Sequence, residues 1–331
     1  MSSDPSVSAY LISSSDAGVS AAFTRLAQAD LDPGEVTVRV QYASVNYKDA
    51  LAATGKGRII RRFPCVGGID ASGVVVASDA PQFKPGDEVI VHGHGFGVSH
   101  HGGYATLARA PAAWVNRLPA GMSLLDAITL GVAGYTAALG IDAMELNGLH
   151  PSKGKVLVNG ATGGVASVSI DLLAQRGYEV VAVTGKPAQA PYLRELGASE
   201  VIASADLPSG TRPLEPALWQ GAVDSLGGAP LSMLTRSVRK DGVIAAIGNA
   251  AGLEFTTSVM PFILRGVRLL GINSDNDPPL REHVWQRLAT DLRPRHLARI
   301  AHVVPFEQLP QAIDAVIGGQ ARGRTVIRIG G

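Results

Sequence analysis

The chain has 331 residues, of which 46% are hydrophobic and 17% charged, and its formal net charge is +1. This composition excludes a disordered chain, and the balanced charge provides no overall field that would attract nucleic acid or an anionic membrane surface. Cys65 is the single cysteine, which excludes an intramolecular disulfide and any cysteine-rich zinc or iron–sulfur site. We expect a soluble, cytoplasmic protein of two domains, since one domain typically has roughly 150 residues.

The N-terminal third of the chain predicts short strands separated by turns. Apolar and β-branched residues predict strands over 35–45, 73–77 and 88–91. Pro-Gly turns precede the first and third of these strands, at Pro33-Gly34 and Pro85-Gly86. This pattern is typical of an irregular β-barrel or sandwich.

After residue 123 the pattern changes to helices and then to alternating strands and helices, which favours βαβ units and a parallel sheet. The predicted strands are 155–159, 179–183, 200–202, 221–225, 242–247 and 267–272, and the predicted helices between them are 165–176, 190–196 and 231–238. Helices over 280–292 and 310–317 precede a last strand over 324–329. We expect this tail to return to the N-terminal domain, so that residues 1–124 and 276–331 form one discontinuous domain and residues 125–275 form the other.

A glycine-rich turn, Gly160-Ala161-Thr162-Gly163-Gly164-Val165-Ala166, falls between a predicted strand and a predicted helix. Backbone without side chains can approach a pyrophosphate, whose charge is met there by amide N–H groups and the positive end of the helix dipole. The turn therefore predicts dinucleotide binding. A purely structural turn is the alternative.

The next strand indicates which dinucleotide is preferred. NAD-selective folds carry Asp or Glu at the end of this strand, to bind the ribose 2′-hydroxyl. Here the strand ends in Thr184-Gly185-Lys186, and a hydroxyl with an ammonium suits a 2′-phosphate. We predict NADPH, with a solvated Lys186 that binds nothing as the alternative.

Several motifs together resemble the medium-chain dehydrogenase/reductase superfamily, and more narrowly its branch of acryloyl-CoA reductases, also called quinone oxidoreductase-like. The resemblance extends over essentially the whole chain. The motifs are Asn46-Tyr47-Lys48-Asp49, Lys84-Pro85-Gly86-Asp87-Glu88-Val89, Gly131-Val132-Ala133-Gly134-Tyr135, the glycine turn, and Met260-Pro261-Phe262-Ile263-Leu264-Arg265.

This resemblance implies an α/β protein with a GroES-like β-rich catalytic domain and a Rossmann domain, a doubly wound parallel sheet, that binds NADPH. It also implies a homodimer. The cofactor contacts that it implies are Tyr47, Thr162, Gly163, Gly164, Val165, Thr184, Gly185, Lys186, Asn249, Ile263, Ser274 and Arg324. Two positions depart from the branch, since Ala166 and Lys186 stand where members often have Gly and Arg.

Zinc-dependent relatives in the superfamily carry a catalytic cysteine and a Gly-His-Glu motif. This chain has Ser44-Val45-Asn46 and Gly68-Ile69-Asp70 in those regions, which predicts an enzyme without metal. His92, His94, His100 and His101 resemble a ligand cluster, but the glycines among them favour a loop whose histidines form hydrogen bonds or line a substrate site.

The activity that the resemblance implies is reduction of the C=C bond of acryloyl-CoA to propionyl-CoA, by hydride transfer to the β-carbon. Tyr47 is the predicted catalytic residue, as a hydrogen-bond or proton donor. A role only in packing and cofactor positioning is the alternative. We expect the neighbouring residues Asn46, Lys48 and Asp49 to lie in an extended segment, where adjacent side chains point to opposite sides. Arg58 and Arg61 are candidate contacts for the phosphates of the acyl-CoA, although such a basic run is often only solvated. The remaining alternatives for the protein are a quinone or general enone reductase and a catalytically silent NADPH-binding sensor.

Overall fold

The computed structural model describes residues 6–208 and 210–330. Its strands are β1 (Val7–Ser15), β2 (Gly18–Leu26), β3 (Val36–Val45), β4 (Cys65–Val66), β5 (Asp70–Ser78), β6 (Glu88–His92), β7 (Leu107–Ala110), β8 (Val115–Arg117), β9 (Val156–Val158), β10 (Val180–Thr184), β11 (Glu200–Ala203), β12 (Trp219–Asp224), β13 (Val238–Ala246), β14 (Arg268–Gly271), β15 (Ala301–Pro305) and β16 (Arg324–Arg328). Its helices are α1 (Tyr47–Thr54), α2 (Leu124–Leu146), α3 (Gly164–Gln175), α4 (Ala190–Glu195), α5 (Gly228–Ser237), α6 (Met260–Arg265), α7 (Pro278–Ala289), α8 (Leu297–Ile300) and α9 (Leu309–Ile317).

The chain divides into two compact units. The first contains the described residues up to Val132, together with Asp277–Glu282 and the described residues from Ala301 onward. The second contains Ala133–Asn276 and His283–Ile300. These units differ from the sequence-based boundaries at 125–132, at 276 and at 283–300. The domain boundaries of the protein stay a prediction.

The first unit is built from two β-sheets. One has the strand order β2-β1-β4, and the other has the order β15-β16-β3-β5-β6-β8, with β7 also pairing with β3. Alternation along β3 buries Val36, Val38 and Val40 in an apolar core of the unit. The tail of the chain contributes a strand to this unit, because β16 pairs antiparallel with β3, with Thr325 opposite Val45.

The second unit contains one six-stranded sheet with the order β11-β10-β9-β12-β13-β14, and all of its strand pairs are parallel. The order places β9, the first of these strands along the chain, in the middle, and the sheet grows from it first to one side and then to the other, as in dinucleotide-binding folds. Val156, Leu157 and Val158 in β9 are fully buried, as expected for a strand covered on both faces. The predicted parallel α/β architecture is confirmed.

The apolar helix α2 is interrupted at Gly131, whose φ of 50° and ψ of −151° are not helical. Of the described helices, α2 alone is long and apolar enough to cross a membrane, with a mean hydropathy of 1.6, and 83% of its most apolar segment is buried within the fold. Burial of this kind is what a core helix requires.

Candidate functional site

The glycine turn connects β9 to α3, as predicted. The helix begins at Gly164, and Gly163 is its N-cap. Gly160 has a φ of 57°, a conformation that favours glycine, and its carbonyl accepts a hydrogen bond of 2.8 Å from the amide of Gly163. A Cβ atom on Gly163 would lie 3.2 Å from that same carbonyl oxygen. The turn is therefore shaped by residues without side chains, and it leaves the N-terminal amides of α3 available to an anion.

The residues after β10 form a small polar turn. Thr184 is buried, and its Oγ1 accepts a hydrogen bond of 2.9 Å from the backbone amide of Lys186. Lys186 is half-buried, and burial lowers the pKa of its ammonium group. Gly185 between them is exposed. The strand end therefore carries a hydroxyl and an amine where an NAD-selective fold carries a carboxylate.

Other predicted cofactor contacts of the second unit also follow strands. Asn249 lies exposed after β13, and Ser274 lies partly exposed after β14. Because the sheet is parallel, the segments after β9, β10, β13 and β14 are at the same edge of the sheet. Ile263 does not follow a strand directly, since it belongs to helix α6, and it is 71% exposed.

A cavity of about 590 Å³ opens at this edge, and sequence reasoning did not identify its lining. Its apolar wall includes Leu207, Leu226, Met233 and Phe255, and its polar wall includes Asn159, Ser204, Arg236 and Glu254. These residues come from the segments after β9 and β11, the turn after β12, the helix α5 and the segment between β13 and α6. Their spacing in the sequence carries no motif, because they meet only through the strand order.

An amide and a carboxylate connect the ends of β9 and β12 beneath this cavity. Asn159 donates through Nδ2 to the carboxylate of Asp224, and its Oδ1 accepts a hydrogen bond of 2.7 Å from the amide of Ser225. Asp224 also accepts one from the amide of Gly227 at 2.9 Å. Burial raises the pKa of Asp224, while these donors oppose that change. The pair holds the two strand ends in register.

In the first unit, Tyr47 is the first residue of helix α1, which sequence reasoning had taken as an extended segment with neighbouring side chains on opposite faces. That expectation is wrong, because Asn46 is a helix N-cap and both its backbone N and its Nδ2 donate to Asp49, at 2.9 and 3.0 Å. In this helix the side chain of Asp49 is buried, whereas Tyr47 is 42% exposed. The phenol of Tyr47 is therefore accessible to a ligand.

Two buried carboxylates surround Asn46. Asp49 accepts a third hydrogen bond from the amide of Ile69 at 2.9 Å. Asp70 accepts hydrogen bonds from Ser44 Oγ at 2.6 Å, from Asn46 Nδ2 at 3.2 Å and from the amide of Val132 at 2.9 Å. Burial, followed by the negative charge of Asp70, raises the pKa of Asp49 to about 7, although its hydrogen-bond donors act in the opposite direction.

Arg324 supplies the positive charge of this cluster. Its Nε donates to the carbonyl of Thr129 at 3.0 Å, its Nη1 donates to Asn46 Oδ1 at 2.9 Å, and its Nη2 donates to Ser44 Oγ. Nη2 also lies 3.5 Å from Asp70, and the side chain is buried. Each guanidinium nitrogen thus has a protein partner, and a cofactor contact by Arg324 stays a prediction.

The four histidines of the glycine-rich segment each have specific contacts. Arg281, which is buried, donates through Nη1 to the carbonyl of His92 at 2.7 Å, and its Nη2 lies 3.1 Å from His94 Nε2. The rings of His94 and Trp114 are stacked, with centroids 5.4 Å apart. His100 Nε2 lies 3.0 Å from the carbonyl of Pro33, and His101 Nδ1 accepts a hydrogen bond from the amide of Val66 at 3.0 Å.

These side chains do not fit a zinc ion. Within residues 6–208 and 210–330, no group of three or more His, Cys, Asp or Glu side chains is arranged to hold a metal. Burial also raises the pKa of the Cys65 thiol to about 12. The histidines instead hold the loop in place through hydrogen bonds.

The basic run after α1 is exposed and only partly paired. Arg62 forms an ion pair with Asp32. Arg58 and Arg61 are exposed, and in the part of the chain that the structure describes their guanidinium groups have neither an ion-pair nor a hydrogen-bond partner. They are therefore available to an anionic ligand.

Comparison with known proteins identifies the family. Two family models match the chain, the alcohol dehydrogenase GroES-like domain over residues 32–120 and the zinc-binding dehydrogenase over residues 164–290. "Putative quinone oxidoreductase YhfP" of Bacillus subtilis is 44% identical, over 91% of this chain and 92% of the relative. Acrylyl-CoA reductase AcuI of Ruegeria pomeroyi is 42% identical, over 93% of this chain and 94% of the relative.

Solved structures agree with this result. The yhdH oxidoreductase from Salmonella enterica in complex with NADP is 42% identical and has a TM-score of 0.95, covering 98% of this chain and 100% of that one. Bacillus subtilis yhfP with NAD bound is 41% identical and has a TM-score of 0.94, with the same coverage of 98% and 100%.

The chain is an oxidoreductase of the medium-chain dehydrogenase/reductase superfamily, with a GroES-like fold and a Rossmann fold. Within the superfamily it belongs to the branch that contains AcuI and YhfP. The resemblance seen in the sequence motifs is confirmed at both levels.

Proposed function

We propose that the protein is an NADPH-dependent reductase that converts acryloyl-CoA to propionyl-CoA without a metal ion. The observation that carries this proposal is the 42% identity to acrylyl-CoA reductase AcuI over nearly the full length of both chains. The reaction consumes acryloyl-CoA, NADPH and one proton, and it yields propionyl-CoA and NADP⁺.

The cofactor is NADPH. The Salmonella enterica relative holds NADP, and the end of β10 presents Thr184 and Lys186 in place of a carboxylate. The cavity of about 590 Å³ has apolar walls that suit an adenine ring, and the glycine turn beside it suits a pyrophosphate. When bound, NADPH supplies the hydride.

Tyr47 is the catalytic side chain of this proposal. Addition of hydride to the β-carbon makes the thioester an enolate, whose oxygen needs a positioned donor and whose α-carbon needs a proton. The exposed phenol at the start of α1 can donate a hydrogen bond to that oxygen or deliver the proton. Tyr47→Phe keeps the ring and removes the hydroxyl, so we expect kcat/KM to fall about 100-fold if the hydroxyl acts in the chemistry.

Arg58 and Arg61 bind the phosphates of coenzyme A. Both are exposed, and neither has an acidic partner among the described residues, in contrast to Arg62 with Asp32. Arginine suits phosphate because its planar fork donates two hydrogen bonds at once.

A quinone or general enone reductase is the second candidate, favoured by the 44% identity to YhfP. Both activities use the same hydride donor, and they differ in whether the acceptor carries a CoA group. Steady-state assays with NADPH against acryloyl-CoA, crotonyl-CoA and a benzoquinone at equal concentrations separate them. A higher kcat/KM for benzoquinone would contradict the proposal, and tight NADPH binding without turnover on any of the three would favour a silent sensor.

The proposed assembly is a cytoplasmic homodimer. Strand β14 is the edge of its sheet, since it pairs only with β13 within the described residues. The preceding segment exposes Val259, Ile263 and Leu264, which is a substantial apolar surface for one short helix. An edge strand beside apolar surface can pair with the same strand of a second copy.

A further inference from the structure

Asn46 occupies the centre of the buried cluster formed by Ser44, Asn46, Asp49, Asp70 and Arg324, which we call the Asn46 cluster. Every polar atom of its carboxamide has a partner in this cluster. Oδ1 accepts from Arg324 at 2.9 Å, while Nδ2 donates to Asp49 at 3.0 Å and to Asp70 at 3.2 Å. A carboxamide is the side chain that can do this, because it offers an acceptor and two donors from one rigid plane.

No other side chain of similar size meets the same demands. An aspartate would place a third carboxylate against Asp49 and Asp70, and both donors would be lost. A serine can still cap the helix, yet its single hydroxyl donor cannot reach two carboxylates at once. The cluster therefore specifies Asn46 for a reason beyond capping α1.

The orientation of Asn46 is transmitted to Tyr47, its neighbour in the chain. Tyr47 begins α1, and the carbonyl of Asn46 accepts the first helical hydrogen bond, from the amide of Ala50 at 3.1 Å. The cluster also holds the backbone amide of Asn46 against Asp49 at 2.9 Å. Backbone and side chain of Asn46 are thus fixed together, and the direction in which the Tyr47 side chain leaves α1 is fixed with them.

We propose that Asn46 is a positioning residue of the reductase, whose carboxamide orients Tyr47 through its contacts with Asp49, Asp70 and Arg324. This proposal rests on the proposed function, in which Tyr47 is the catalytic side chain. Misplacement of a reacting group by about 1 Å can reduce a rate about 100-fold, so a rigid support for an exposed tyrosine has a direct kinetic effect.

A double-mutant cycle tests this role. Asn46→Ser retains a helix-capping residue and loses the bridge between the carboxylates, and we expect kcat to fall at least about tenfold in a background that contains Tyr47. In a Tyr47→Phe background the same substitution should change kcat less than about twofold, because the hydroxyl that it orients is already missing. Equal losses in the two backgrounds, or no loss in either, would overturn the proposal.

Ser123→Ala is the matched control, since Ser123 precedes α2 and its Oγ accepts a hydrogen bond from the amide of Asp126 at 3.0 Å. This variant should lose thermal stability and keep kcat. If it also loses kcat to the same extent as Asn46→Ser, a general loss of stability explains both results and the proposal fails.

A binding measurement separates this proposal from the assignment of the substrate. Fluorescence of bound NADPH reports the surroundings of the nicotinamide, and 2′,5′-ADP occupies only the adenosine half of a cofactor site. We expect Asn46→Ser to change the fluorescence of bound NADPH and to leave the Kd of 2′,5′-ADP unchanged. This pair of results would support the role of Asn46 even if acryloyl-CoA is not reduced, whereas an unchanged NADPH spectrum would contradict it.

Discussion

Asp49 and Asp70 accept hydrogen bonds from the same nitrogen atom, Asn46 Nδ2, at 3.0 and 3.2 Å. Two carboxylates thus share one amide group in a buried place where Arg324 is the charged partner 3.5 Å from Asp70. Two negative charges and one positive charge leave an excess that a bound proton removes. Burial is the first cause of the raised pKa of Asp49, which is about 7, and the negative charge of Asp70 is the second.

The raised pKa predicts a pH-dependent stability. The unfolded chain releases this proton near pH 3.8 and the folded protein near pH 7, so between these values the folded state binds more protons. The free energy of unfolding should therefore decline as the pH rises from about 4 to about 7, and the contribution of Asp49 should be constant above that range. Thermal unfolding at intervals from about pH 5 to pH 8 measures this change.

Asp49→Asn is the reference for that experiment. The variant has no titrating group at this position, so its Tm should vary less with pH than that of the wild-type protein. Its Tm should also be lower at every pH, because the NH2 group of the new side chain would face the N–H donors that Asp49 accepts from. Parallel pH profiles for the two proteins would show that Asp49 does not hold the proton.

Lys186 should determine the preference for NADPH. Loss of a charge-assisted contact to the 2′-phosphate costs about 1.5–3 kcal/mol, so Lys186→Ala should raise the KM for NADPH by about ten- to a hundredfold and leave the KM for NADH unchanged. Lys186→Arg retains the charge and is the control. Equal effects on both cofactors, or none on NADPH, would remove Lys186 from the phosphate site.

Gly131 should tolerate no side chain. A Cβ atom there would lie 2.4 Å from Asp70 Oδ2 and 2.8 Å from Arg324 Nη2. We expect Gly131→Ala to lower the free energy of unfolding in urea by about 3 kcal/mol or more, because strain and a disrupted ion pair add together. Gly121→Ala is the control, since Gly121 also has a positive φ, of 79°, but a Cβ atom there would meet no other atom within 4 Å. Gly121→Ala should lower the free energy of unfolding by only about 1–2 kcal/mol. Similar losses in the two variants would mean that Asp70 and Arg324 move to accommodate the Cβ atom and would contradict the prediction.

Arg58 and Arg61 should contribute to the recognition of coenzyme A. The double variant Arg58→Ala with Arg61→Ala should raise the KM for acryloyl-CoA about tenfold and reduce its dependence on salt concentration. The KM for acryloyl-pantetheine, which lacks the nucleotide phosphates, should not change. Arg62→Ala is the comparison, because Arg62 is already paired with Asp32. If Arg62→Ala raises the KM for acryloyl-CoA as much as the double variant does, the arginines act only through their overall positive charge and not through specific contacts.

Leu264 should lie in the interface of the proposed dimer. It is 57% exposed beside the edge strand β14, and an aspartate there would be costly to bury between two copies. Light scattering after size-exclusion chromatography should show a dimer for the wild-type protein and a monomer for Leu264→Asp. Leu146→Asp changes another leucine, which is 80% exposed at the end of α2, and should leave the dimer intact. A Leu264→Asp variant that stays dimeric would place the interface elsewhere.

The parallel sheet and the glycine turn could be predicted from the sequence, because both depend on local patterns. Apolar runs such as Val156, Leu157 and Val158 indicate buried strands, and a glycine turn between a strand and a helix has one common use. The family motifs added the prediction that a GroES-like fold comes first in the chain and a Rossmann fold follows it.

The Asn46 cluster could not be predicted in the same way. Asp70 and Arg324 are distant in sequence, and they meet because β16 pairs with β3, beside β5. The helix at Tyr47 was missed because its eight residues are few for a periodic pattern, although an asparagine followed three residues later by an aspartate is a capping signal. The cavity lining was missed because strand order, rather than spacing, assembles it.

Strand β16 lies between β15 and β3 in its sheet, although it follows both of these strands in the chain. During synthesis, β3 therefore lacks this neighbour until the ribosome has released residues 324–328, and the buried carboxylate of Asp70 lacks Arg324 for the same time. All strands of the parallel sheet, from β9 to β14, are complete before then. A nascent chain stalled before residue 324 would thus contain every strand of the parallel sheet and would lack one strand of the sheet that holds β3, so the parallel sheet can be completed first.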